Sequence, residues 1–140
     1  MTSWKEIQNE IDATKSQEKP SGDFDSIRRG KYKLLADLTE RPLIVHATAF
    51  HNPIKAQVAA PFLSIDLSDK DGFKEVTQRL KNDKVDVFIH SPGGSAEAAE
   101  SIVSILRNKF KDVRFIITGA AKSAATMLAM SGDVILMDDA

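Results

Sequence analysis

The feature that most constrains this chain is an alternation of segment types that begins at Pro42. Leu43-Ile-Val-His-Ala-Thr48 reads as a strand, Val85-Asp-Val-Phe-Ile89 as a strand of strongly buried character, Val113-Arg-Phe-Ile-Ile-Thr118 as another and Val134-Ile-Leu-Met137 as a last. Helical patterns lie between them. Ser68 or Asp69 opens one that carries Phe73, Val76 and Leu80. A second runs from Ser95 to Phe110 with Ala98, Ile102, Ile105 and Leu106 inward. A third, Ser123 to Met130, is nearly all apolar, which reads as buried rather than amphipathic, and ends at Gly132. Strands that alternate with helices dictate βαβ units, right-handed crossovers and a mainly parallel sheet, an α/β fold. Ser64-Ile-Asp-Leu67 suggests one more short strand, and the stretch holding Pro53 and Pro61 reads as irregular.

Residues 1–40 differ in kind. Trp4, Ile7 and Ile11 repeat at helical spacing behind Ser3, and Glu6 stands where a capping box needs it. Residues 14–23 hold Pro20, Ser21 and Gly22 and read as a linker. A second helix covers Phe24 to Thr39 with Ile27, Leu34, Leu35 and Leu38 as its apolar side. This reads as a helical arm for docking or oligomerisation, and nothing in it looks catalytic. Residues 41–140 form the other part.

Composition excludes several functions. With 19 basic and 20 acidic residues the formal charge is -1, which offers no footprint for nucleic acid. There is no cysteine, hence no disulfide scaffold, thiolate metal site or cysteine nucleophile. No apolar run is long enough to span a bilayer, and the N-terminus lacks a signal-peptide pattern. A soluble, cytoplasmic protein is the expectation. The three histidines have no ligand spacing, and Asp133, Asp138 and Asp139 read as solvated strand ends, so no metal is expected. No phosphate loop with a Lys-Ser/Thr pair is present, so no cofactor is implied and any ATPase would be a partner.

In a parallel sheet, chemistry collects at the carboxyl ends of the strands. Two loops fall there. His90-Ser-Pro-Gly-Gly-Ser95 combines consecutive glycines with a following helix N-terminus, and its amides can donate to an anion or a developing oxyanion. Taken alone it is also explained as a strand-to-helix turn. Gly119-Ala-Ala-Lys-Ser-Ala-Ala125 places Ser123 where strand turns into helix, among alanines that clear space for its hydroxyl. Taken alone, Ser123 is a helix cap. A polar serine leading an uncharged helix, beside a Gly-Gly loop, shifts the balance toward a nucleophile, although Gly-x-Ser-x-Gly is absent.

These residues carry a resemblance. His90-Ser-Pro-Gly-Gly94, Gly119-Ala-Ala-Lys-Ser-Ala-Ala-Thr-Met-Leu-Ala129 and Gly132-Asp-Val-Ile-Leu-Met-Asp138 resemble the ClpP/crotonase superfamily. Within it they are most similar to the serine dehydrogenase proteinase group, relatives of signal peptide peptidase A. The interval from Gly94 to Ser123 resembles that between oxyanion loop and nucleophile in ClpP-type peptidases. Phe24-Asp-Ser-Ile-Arg-Arg29 and Leu38-Thr-Glu-Arg-Pro-Leu-Ile44 resemble the group's N-terminal region. The resemblance implies a serine peptidase acting on peptide or protein, with Ser123 as nucleophile, the amides of Gly94 and Ala124 as oxyanion hole and Gly93 supporting the loop. A homo-oligomer is also expected.

A serine needs a base, because its own pKa leaves almost no alkoxide at neutral pH. In the relatives a lysine or a histidine serves, tens of residues after the serine. Only 17 residues follow Ser123, so residues 41–140 are expected to be the N-terminal part of such a domain, with the base beyond residue 140. Within the chain, His90 is the better-placed substitute and Lys122 a poor one, since adjacent side chains diverge. His46 and His51 read as structural or exposed. Two alternatives remain at this level. One is a crotonase-like acyl-CoA enzyme, which would need a CoA site and a carboxylate. The other is a catalytically incomplete protein that binds peptide or assembles with a longer homologue.

Overall fold

The computed structural model describes residues 3–137. It divides into two compact units, Met1–Glu40 and Arg41–Ala140. In the first, α1 (Trp4–Ala13) starts on the expected capping box. The Ser3 hydroxyl accepts the Glu6 amide at 3.3 Å, and the Glu6 carboxylate accepts the Ser3 amide at 2.6 Å. The second helix, α2 (Phe24–Thr39), is capped by Asp23, whose carboxylate accepts the Ser26 amide. Its expected apolar side is only partly used. Ile27 and Leu35 are half-buried, whereas Leu34 and Leu38 are exposed.

The second unit holds four strands, β1 (Leu43–Ala47), β2 (Lys84–Ser91), β3 (Asp112–Ala121) and β4 (Val134–Met137). Every pairing is parallel and the order is sequential. Register sets the faces. Ile44, Val87, Phe115 and Ile135 lie side by side across the sheet, one row from His46, Ile89, Ile117 and Met137. Because strand side chains alternate, these rows share one face with Val85 and Val113. The helices cover that face. α4 (Leu67–Arg79) packs beside α5 (Ala96–Lys109), and α5 beside α6 (Ala124–Met130). The core is built from Ile44, Val87, Ile89 and Phe115 against Phe73, Ile102, Leu106 and Leu128.

Four local expectations are corrected. The stretch after β1 is not irregular: Asn52 caps a short helix, α3 (Pro53–Ala59), followed by a 3-10 turn at Ala60–Phe62. Proline at the first helical position surrenders an amide that would have no partner there anyway. Ser64–Leu67 is no strand; Ile65 alone bridges to Gly94. Asp66, rather than Ser68 or Asp69, caps α4, with Asp69 closing the capping box. Finally, α6 is not buried all round. Ala124, Ala125, Leu128 and Ala129 are buried while Met127 and Met130 are exposed, and Ser131 rather than Gly132 is its C-cap.

Candidate active site

The two loops singled out in the sequence meet at the carboxyl ends of β2 and β3. Ser91, fully buried at the end of β2, joins them: its hydroxyl accepts the Gly93 amide at 3.1 Å and its carbonyl accepts the Lys122 amide at 3.1 Å. Gly93 has φ +96, and a Cβ there would lie 2.3 Å from the Lys122 carbonyl oxygen and 2.7 Å from Ser123 Cβ. Only a residue without a side chain lets the turn touch the serine loop this closely.

The turn is held from its other side by Ile65. Its amide donates to Gly93 O and its carbonyl accepts the Ser95 amide, both at 2.8 Å. A Cβ on Gly94 would fall 2.2 Å from the Ile65 carbonyl oxygen. In a parallel bridge of this kind the flanking residues of Gly94 make the bonds, so its own amide faces away from Ile65. That amide donates to no acceptor among the described residues. The Ala124 amide is in the same condition, and its nitrogen lies 3.1 Å from where a Gly93 Cβ would stand. Two unused donors on adjoining loops are what a two-point anion site requires.

Ser123 stands beside them in an uncommon conformation. Its φ is 53 and its ψ -123, a region that strains any residue with a side chain by about 1–3 kcal/mol. Its carbonyl accepts the Thr126 amide at 2.8 Å and the Met127 amide at 3.2 Å, so α6 holds it there. The side chain is exposed and makes no capping hydrogen bond, unlike Ser95 at the start of α5, which accepts the Ala98 amide. The cap reading therefore fails for Ser123. Its hydroxyl has no hydrogen-bond partner among the described residues.

The candidate bases lie to one side. The His90 ring stacks on Phe50 at 4.9 Å between centroids, with His51 at 5.3 Å, and its Nδ1 accepts the Ala120 amide at 3.3 Å. Burial, and secondarily the charge of His51, holds the His90 pKa below the ordinary histidine value. Lys122 Nζ sits 5.6 Å from the centre of the Phe50 ring. Neither side chain hydrogen-bonds Ser123. His46 is half-buried beside Phe73 and 3.8 Å from Asp69, and desolvation lowers its pKa. His51 is exposed, as the sequence suggested. Asp133 takes a bidentate Arg107 at 2.7 and 3.0 Å and accepts the Val113 amide, which draws its pKa down to about 2. Asp138 and Asp139 lie outside the described residues. No group of three or more metal-ligating side chains occurs among the described residues, and no described helix is long and apolar enough to cross a membrane.

The family profile described as ClpP-like SDH-type serine proteinase matches residues 54–140, a span that takes in Ile65, both glycines and Ser123. The chain belongs to this family. It is similar in sequence to an uncharacterized protein of Methanocaldococcus jannaschii, 24% identical over 123 residues. That match covers 86% of this chain and 43% of the relative. In structure this ClpP-like chain resembles a ClpP1 point mutant from Listeria monocytogenes, with a TM-score of 0.52 at 19% identity. The likeness covers 71% of the chain and 51% of the ClpP1 chain, and establishes the fold. The chain thus spans about half the length of the relatives it matches. Sequence reasoning missed Ile65 as the strap behind the glycine turn, because an isolated bridge leaves no pattern of alternation to read. It also missed Phe50, whose packing against His90 is non-local.

Proposed function

We propose that residues 41–140 supply the nucleophile and oxyanion hole of a serine peptidase acting on peptide or protein substrates. Ser123 Oγ attacks the scissile carbonyl carbon as its proton passes to a general base, a lysine or histidine outside residues 1–140. The carbonyl electron pair moves onto oxygen, and the amides of Gly94 and Ala124 donate to that oxyanion. Collapse restores the carbonyl, breaks the C–N bond and sends the amine away with the proton, leaving an ester on Ser123. Water then repeats the attack and releases the acid. Losing one such donor typically lowers the rate about 10²–10³-fold. Gly93 lets the two loops approach.

One observation carries this reading: Ser123 is held in a strained, exposed position, and among the described residues its hydroxyl has no partner and the two amides beside it have no acceptor. Treating the native protein with a fluorophosphonate probe and mapping the adduct by peptide mass spectrometry tests it. Modification at Ser123, absent from Ser123→Ala, is the expected result. A native protein left unmodified at Ser123 while its Gly-Gly turn still captures peptide would replace catalysis with peptide binding.

A further inference from the structure

The pairing of β2 with β3 is interrupted at one place. Ile89 faces Ile117 and Ser91 faces Ala121, so four steps of β3 run opposite two of β2. The excess is a bulge containing Thr118, Gly119 and Ala120, and only Ala121 separates it from Lys122 and Ser123. Bulges re-aim whatever follows them. An unfilled bulge leaves amides without ladder partners, so something must occupy it.

His90 occupies it. Its Nδ1 accepts the Ala120 amide at 3.3 Å, in place of a ladder carbonyl. A Cβ on Gly119 would meet the ring at 2.8 Å from Nδ1 and 2.9 Å from Cε1, so the imidazole fills the space the glycine leaves. The ring is fixed on its other side by Phe50. Its backbone is fixed too, since the His90 carbonyl accepts the Thr48 amide at 2.9 Å.

We infer that His90 is a positioning residue, whose neutral imidazole seats the β3 bulge and thereby sets where the Ser123 loop stands. The inference rests on Ser123 being the nucleophile proposed above. An acceptor Nδ1 requires the Nε2–H tautomer. Protonation makes both ring nitrogens donors and turns the Ala120 bond into a repulsion between two N–H groups. The sign follows: the bond is present above the His90 pKa and lost as pH falls through it. The groups facing the ring bear this out. They are His51 from the loop before α3, and Lys122 from the loop after β3, across Phe50. Neither offers a carboxylate to favour the charged form, and burial lowers the pKa further.

The test follows the Ala120 amide proton and the His90 ring nitrogens by NMR while pH is lowered, and in parallel the rate of phosphonylation at Ser123. In the unmodified protein the Ala120 shift is expected to co-titrate with His90, at a pKa below 6.5. His90→Asn puts an oxygen where Nδ1 lies, so the Ala120 shift stays at its neutral-pH value throughout. His90→Phe fills the space without an acceptor, shifts Ala120 at every pH and slows phosphonylation on the order of 10²-fold. Gly119→Ala, which displaces the ring, does the same and guards against a misfolded Phe variant. The phosphonylation profile of His90→Asn supplies the baseline of the reaction's own base, and the extra loss in acid seen only with His90 isolates its part. An Ala120 shift that is flat with pH and alike in all four proteins overturns the inference. So does an altered shift with an unaltered phosphonylation rate, which leaves the nucleophile in place. If Ser123 reacts in none of the proteins while the shifts behave as described, the nucleophile reading falls and the positioning role with it.

Discussion

Asp86 shows how a single residue can hold this sheet. It lies within β2 and is fully buried, a costly place for a carboxylate unless each oxygen is matched. Arg114, its register partner on β3, binds it through Nε at 2.9 Å and a terminal nitrogen at 2.6 Å, and Arg41 adds a contact at 3.3 Å. Arg41 also pairs with Asp112, whose pKa it lowers. Asp86→Ala leaves Arg114 without its counter-charge and facing Arg41, which keeps only Asp112. Removing one partner of a buried pair typically costs about 3–5 kcal/mol, and urea unfolding is expected to show a loss near the lower figure because Arg114 keeps some solvent. An unfolding midpoint that does not move would mean the arginines find water. The segment around Asp86 was legible as a buried strand. Its partners were not, because they stand 45 and 28 residues away. The candidate site divides the same way. Consecutive glycines and a serine ahead of an uncharged helix are visible in the sequence. The positive φ of Ser123 and the free amides exist only once Ile65 and Ser91 have fixed the turn.

At the scale of elements, burial separates helices that look alike on paper. In α6 Leu128 is fully buried in the core, whereas in α2 Leu38 is 81% exposed. Leu128→Ala is expected to lower stability by about 2–5 kcal/mol, since a buried leucine leaves a cavity. Leu38→Ala should stay within roughly 0.5 kcal/mol of the parent, as surface changes usually do. Thermal or urea unfolding of the pair decides between them, and equal losses would show that Leu38 is covered in the native protein. The alternation of strands and helices was legible because each segment carries its own period, 2 or 3.6. What failed was local chemistry with two meanings. Pro53 reads as a breaker until Asn52 is recognised as the cap in front of it. Ile65 sits in a strand-like run that pairs only once.

At the scale of the whole molecule, the sheet ends in β4, whose four residues are all exposed. Its outer edge has no neighbour among the described residues, and Met137 is 71% exposed beside Met130 at 73%. Ile117, Ala121, Thr126, Met130, Ile135 and Met137 border a cleft of about 260 Å³ next to this edge. An open parallel edge presents unpaired amides and carbonyls, and apolar side chains around it make pairing with another chain favourable. Residues 1–140 alone are therefore expected to associate as their concentration rises. Sedimentation velocity over a dilution series checks this. Ile135→Lys combined with Met137→Lys places charge on that edge, so it should shift the population toward monomer while the fold, read by circular dichroism, is unchanged. Monomer at every concentration in the parent would show that β4 is shielded by its own side chains. Association that survives both lysines would move the contact to the helical arm, where Leu34 and Leu38 are exposed as well.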